Sequence, residues 1–169
     1  MMALAFVSLM IFPVAMAFAA ANDLFTMRIP NQISLALIVG FLLSAVLTRM
    51  PLETFGIHLA CGFGVLALTF TLFSLNLLGG GDAKLMAVGA LWMGAEQILP
   101  FIAFVTIYGG VLCFAILSYR RMVPADMFPL PEWAQRLHRS GGPVPYGIAI
   151  AAGGLMVFPA TELFRAIMV

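Results

Sequence analysis

The chain has 169 residues, of which 63% are hydrophobic and only 9% charged, and its mean hydropathy is +1.11. Soluble domains carry about 25% charged residues, so this composition excludes a chain that solvates its own surface and makes lipid the main solvent. A net charge of +1 leaves no electrostatic footprint for nucleic acid.

A helix needs about 20 apolar residues to cross a hydrocarbon core of roughly 30 Å. In chain order the candidates are 3–21, 33–48, 55–78, 83–95, 98–119 and 144–164. They predict an all-α polytopic membrane protein, one integral-membrane domain over 1–169 built as a bundle of about six transmembrane helices, with a polar loop at 119–143. The first segment ends in AMAFAA, which resembles a signal-peptide cleavage site. It lacks a basic n-region and its apolar run exceeds a usual h-region, so a retained helix is expected.

The 83–95 segment makes only about 20 Å of helix, short of a full crossing, and a re-entrant segment is its alternative. Charge parity separates the two. If all six segments cross and 119–143 faces the cytoplasm, Arg28, Lys84, Arg120, Arg121, Arg136 and Arg139 share that side, leaving Arg49 and Arg165 outside. A re-entrant fourth segment would move Arg28 and Lys84 to the other side. The positive-inside rule therefore favours six crossings, with both chain ends outside the cytoplasm.

This parity also sorts the acids. Glu53, Glu96 and Glu162 fall on the outer face, and Asp126 and Glu132 in the polar loop. Only Asp23 and Asp82 are both close to hydrocarbon and on a shared, cytoplasmic side. A plain reading makes Asp23 a helix-end residue, Asp82 an N-terminal cap of the fourth helix, and Gly79, Gly80 and Gly81 a flexible turn. A sharper one brings the two acids together. Two carboxyls within hydrogen-bond reach cannot easily both ionise, so near neutrality such a pair can hold one proton. One member then acts as base on a water while the other donates to a peptide carbonyl. The three glycines would supply backbone freedom and room for an extended substrate strand.

These residues carry a family resemblance. GGGDAKL resembles the GxGD motif of the type IV prepilin peptidases, which are membrane aspartyl proteases, with Gly79, Gly81 and Asp82 at its fixed positions. NDLFTMRIPNQIS resembles the family's other signature through Asp23, Arg28, Ile29, Pro30 and Asn31, and VPYGIAIAAGG resembles its last helix through Pro145, Tyr146 and Gly147. GxGD alone is a weak motif; the three blocks in order cover nearly the whole chain. The resemblance implies a catalytic dyad of Asp23 and Asp82, and a prepilin or pseudopilin substrate whose short leader is cut at the cytoplasmic face of the bacterial inner membrane. It implies no cofactor, and the pilus assembly machinery and membrane lipid as further partners. Longer relatives carry paired CxxC motifs and also methylate the new N-terminus. This chain has no CxxC and begins directly with its first helix, so peptidase activity without methyl transfer is expected. It looks most like the short enzymes of tight-adherence (Flp-type) pili, although archaeal preflagellin peptidases share the core motifs. The YD and PAL strings of presenilin-type proteases do not appear.

Around the pair, Gly79, Gly80, Gly81, Lys84, Pro30, Asn31 and Tyr146 are the candidate substrate-binding residues. Lys84 and Arg28 read equally as headgroup anchors, Pro30 as the start of the second helix, and Tyr146 as an interfacial aromatic or a hydroxyl that orders the site. Gly109, Gly110, Gly153 and Gly154 suggest close helix approach. His58 reads as interfacial, His138 as solvated, and Trp133 with Pro129 and Pro131 as an irregular loop on the membrane surface. Cys61 and Cys113 lie in apolar runs without metal-ligand spacing, so neither a disulfide nor a metal site is expected. The rival function is a small proton-coupled transporter or channel component, since such proteins also keep acids in the membrane, usually near its midplane.

Overall fold

In lipid the peptide groups have no water to bond, so an apolar chain closes them within helices. The computed structural model describes residues 2–122, 131–139 and 142–168, and among these no residue lies in a strand. In chain order the elements are α1 (Met2–Thr26), α2 (Asn31–Leu47), α3 (Leu52–Ser74), α4 (Gly80–Met122), α5 (Glu132–His138), α6 (Gly147–Val157), a 3-10 turn at Phe158–Ala160, and α7 (Glu162–Met168). α1, α3 and α4 are each long and apolar enough to cross a membrane, and α6 with α7 makes a further candidate span bent by 51°. The protein is an all-α polytopic membrane bundle.

α1 runs to Thr26 rather than ending near residue 21, and so takes Asp23 into the helix. The polar side chains of that last stretch bond along the helix: Asn22 Nδ2 donates to Phe18 O at 2.9 Å and Thr26 Oγ1 to Asn22 O at 2.7 Å. Met27, at φ 54°, ends it. Pro30 then stands one residue before α2, where a missing N–H costs nothing.

α4 is two helices in one run. Gly94 breaks it at φ 64°, ψ −174°, and the limbs on either side fold back on each other: a Cβ on Gly89 would lie 2.7 Å from the Phe101 ring. In a straight helix those positions would be about 18 Å apart. The limbs are the fourth and fifth segments read from hydropathy. His58 secures the break. In an unbroken helix the Leu91 carbonyl would accept from the N–H four residues on; here His58 Nδ1 meets it at 2.7 Å. The ring fills the space where a Gly94 Cβ would stand. At 3% exposure His58 is buried, which corrects its interfacial reading.

The last segment is likewise not one helix. Pro159 offers no N–H, the chain turns extended at Thr161 (ψ 151°), and Thr161 Oγ1 accepts from the Phe164 N–H at 3.3 Å to start α7. The core between these helices is aromatic. Phe12 stacks on Phe158 with ring centroids 4.5 Å apart, Trp92 lies 5.1 Å from Phe12, and its Nε1–H donates to Leu37 O at 2.9 Å. Small residues let the backbones close: a Cβ on Gly153 would lie 2.8 Å from Val105 N, and one on Gly109 would strike the Tyr146 ring. Gly110, also read as a contact residue, faces open space. Outside, Leu4, Val14, Phe63 and Phe114 are each more than 60% exposed, as a lipid-facing surface allows.

Where the sequence suggested an irregular surface loop, Trp133 and Pro131 belong to α5 and its N-cap. Trp133 packs edge-on against Phe25, with ring centroids 5.9 Å apart, and Arg136 Nη2 donates to Phe25 O at 2.8 Å. Arg120 fastens the other side through Leu137 O at 2.7 Å and Gly142 O at 3.1 Å. His138, read as solvated, is half-buried and lies edge-on to Tyr119. Asp126 and Pro129 lie outside the described residues. The bundle therefore has two unlike ends. Around the start of α3, His58, Glu96 and Glu162 line one pocket; Asp23, Asp82, Lys84, Arg120 and Arg136 gather at the other.

Candidate active site

Asp23 sits in the last turns of α1 and is only 6% exposed. Its Oδ2 accepts the Gly147 N–H at 2.7 Å. Gly147 opens α6, so this N–H is one of the donors that a helix start leaves unpaired, and a carboxylate there also faces the positive end of the helix. The approach needs glycine: a Cβ on Gly147 would lie 2.8 Å from both Asp23 Oδ2 and Ile29 Cδ1. The buried Pro145 and the Tyr146 turn deliver the N–H, with Tyr146 O accepting from Ile150 N at 3.1 Å.

Asp82 arrives from the opposite direction, in the first turn of α4. Its Oδ1 is buried and has no hydrogen-bond partner among the described residues. A capping aspartate would spend that oxygen on a backbone N–H, so the plain reading does not account for it. Thr69 holds the turn to α3 by donating to Ala83 O at 3.2 Å and Val65 O at 2.8 Å.

The two acids line the same two cavities. One, of about 880 Å³, runs along α3 past Val65, Leu68, Thr69 and Leu72 and is bounded by Ile102, Val105, Thr106 and Tyr146. The other, of about 450 Å³, opens between Arg28, Ile29, Pro30, Asn31 and Gly79, Gly80 and Gly81. The carboxyls thus stand between an apolar chamber and a polar one. An orphaned buried carboxyl oxygen beside a second carboxyl, both open to space for a water and a peptide, is a setting for general acid–base chemistry.

The glycines act differently from the reading above. Among the described residues only Gly94 is a glycine at positive φ, so Gly79, Gly80 and Gly81 supply clearance rather than an unusual backbone. Added Cβ atoms would lie 2.7 Å from Asp82 Oδ2, 3.2 Å from the Phe73 ring and 3.1 Å from Ile29 Cβ, in that order. Lys84 and Asn31 meet each other: Lys84 Nζ donates to Asn31 Oδ1 at 2.9 Å at the rim of the polar cavity. Pro30 and the exposed Arg28 line that cavity, and Tyr146 lines the apolar one. Sequence reasoning quoted Ile29 within a motif without giving it a role, and missed Thr69 and the Gly147 N–H as parts of the site. Only the VPYG block pointed near the last of these. Among the described residues no three His, Cys, Asp or Glu side chains come together as a metal-binding group.

The sequence profile of the type IV leader peptidase family matches residues 10–114, well over half of the chain. The chain belongs to that family. The matched stretch contains both aspartates and the glycine run, and it stops short of the VPYG block that pairs with Asp23. No curated protein and no solved structure matches the chain.

Proposed function

We propose that this peptidase is an aspartyl endopeptidase that removes the short leader of a prepilin or pseudopilin at the cytoplasmic face of the bacterial inner membrane. The observation that carries the reading is that Asp23 and Asp82, far apart in the chain, line the same pair of cavities, with one Asp82 oxygen unpartnered. One carboxylate takes a proton from a water whose oxygen attacks the peptide carbonyl carbon. The other, protonated, donates to the carbonyl oxygen. The tetrahedral diol then collapses, the C–N bond breaks, and a carboxyl returns the proton to the leaving amine.

Family membership supports the leader peptide as substrate, and the basic residues gathered at the aspartate end support the cytoplasmic face. The transporter reading finds less support, because both acids lie near helix ends rather than midway along a span. The test is expression with a candidate prepilin in a host lacking such peptidases, with leader removal read by gel shift. Wild type is expected to cleave, while Asp23→Asn and Asp82→Asn each abolish cleavage and remain folded in the membrane. Normal processing by either variant refutes the dyad.

A further inference from the structure

The apolar cavity opens sideways. α3 packs on the first limb of α4, where a Gly62 Cβ would touch Leu91 and Thr69 donates to Ala83 O. The second limb packs instead on α6, through Val105 and Gly153. Between α3 and the second limb there is a cleft, with Met86 of the first limb beside it. Its rim residues Leu68, at 59% exposure, and Thr106 face the surface that lipid covers. From Val65 to Phe73 its wall follows α3 for about 12 Å, a little over two helical turns.

An occupant of this cleft has to satisfy two conditions. It must be apolar and already in the bilayer, because the cleft opens to lipid. It must also present a peptide bond at one end, where Asp23 and Asp82 stand. Beyond the acids the surroundings become polar, with Arg28, Asn31 and glycine backbone, which suits a segment that has left the membrane.

Resting on the leader-peptidase reading, we propose that the cleft between α3 and the second limb of α4 admits, laterally from lipid, the apolar helix that follows the cut bond. The leader lies on the other side of the carboxyls, across Arg28 and Asn31. Substrate polarity is thereby set by the two cavities, and Leu68, Leu72, Ile102 and Thr106 contact the apolar helix.

Photocrosslinking tests this. p-Benzoylphenylalanine is placed at Leu68, Leu72 or Arg28, and at the lipid-facing Leu43 of α2 as a control, each in the Asp82→Asn protein. The probe is a synthetic peptide with a short polar leader ending in glycine, followed by an apolar helix of about 20 residues, in phosphatidylethanolamine–phosphatidylglycerol vesicles. Leu68 and Leu72 are expected to label the apolar helix about tenfold above Leu43, the ratio that about 1.4 kcal/mol of preference gives, and Arg28 to label the leader. Equal labelling at Leu72 and Leu43, capture of lipid alone in the cleft, or capture of the leader there overturns the proposal. Cleavage of the same peptide by wild type is measured separately. Cleft labelling without cleavage removes the peptidase reading and leaves the cleft assignment standing, whereas cleavage without cleft labelling does the reverse.

Discussion

The Gly147 N–H donates to Asp23 Oδ2 at 2.7 Å, joining positions 124 residues apart. One acid of the pair is therefore oriented by the helix that closes the bundle rather than by its own neighbours. A methyl group at Gly147 would stand 2.8 Å from that oxygen, so Gly147→Ala has to push the carboxylate aside. A displacement of about 1 Å in a catalytic group can cost about a hundredfold in rate. Leader cleavage by Gly147→Ala is expected to fall by that order, with membrane insertion retained and a melting temperature lower by about 2–10 °C, as for any lost buried hydrogen bond. Undiminished cleavage would show that this tie does not position Asp23.

Lys84 and Asn31 make an exposed bridge between the starts of α4 and α2. Such a contact contributes less than about 1 kcal/mol to folding, so Lys84→Met should leave stability nearly unchanged. If the bridge borders the leader's path, the variant raises KM by about two- to tenfold, the span of a hydrogen bond of about 0.5–1.5 kcal/mol, and leaves kcat alone. A fall in kcat at constant KM would assign Lys84 to the chemical step instead.

His58 works at the far end of the bundle. Replacing it with alanine leaves the Leu91 carbonyl buried without its partner, at a cost of about 1–3 kcal/mol. The expected result for His58→Ala is a melting temperature lower by about 2–10 °C in detergent, with cleavage per folded molecule unchanged. A melting point equal to wild type would mean that the break at Gly94 holds itself.

Cleavage is expected to continue in EDTA, because the proposed steps need only two carboxyls and a water. Loss of activity in the chelator, restored by a divalent ion, would recast Asp23 and Asp82 as ligands.

Some of this arrangement was legible in the residues and some was not. Hydropathy located every apolar segment, since crossing lipid demands a run of fixed length. The charge balance put Asp23 and Asp82 at one end because basic residues follow them. The gap at Glu96 and Gln97 marked a boundary between the fourth and fifth helices, yet not that the chain turns at Gly94, inside the predicted fourth segment, because positive φ leaves no trace beyond the glycine itself. The break at Pro159 was hidden within an apolar run that reads as continuous. The contacts of His58 with Leu91 and of Arg136 with Phe25 O are long-range, and nothing near either residue in sequence announces its partner. The glycine run was read for a backbone freedom it does not use: its neighbours Phe73 and Ile29 become visible only once the helices pack.

The hairpin turned at Gly94 also bears on how the protein is made. Its first limb, Gly80 to Met93, reaches only about 21 Å, too little to hold a place across a bilayer of roughly 30 Å by itself. The second limb covers it where the Phe101 ring lies over Gly89. The length of the first limb therefore favours entry of the two limbs into the membrane as a couple, with Asp82 carried at the start of that hairpin.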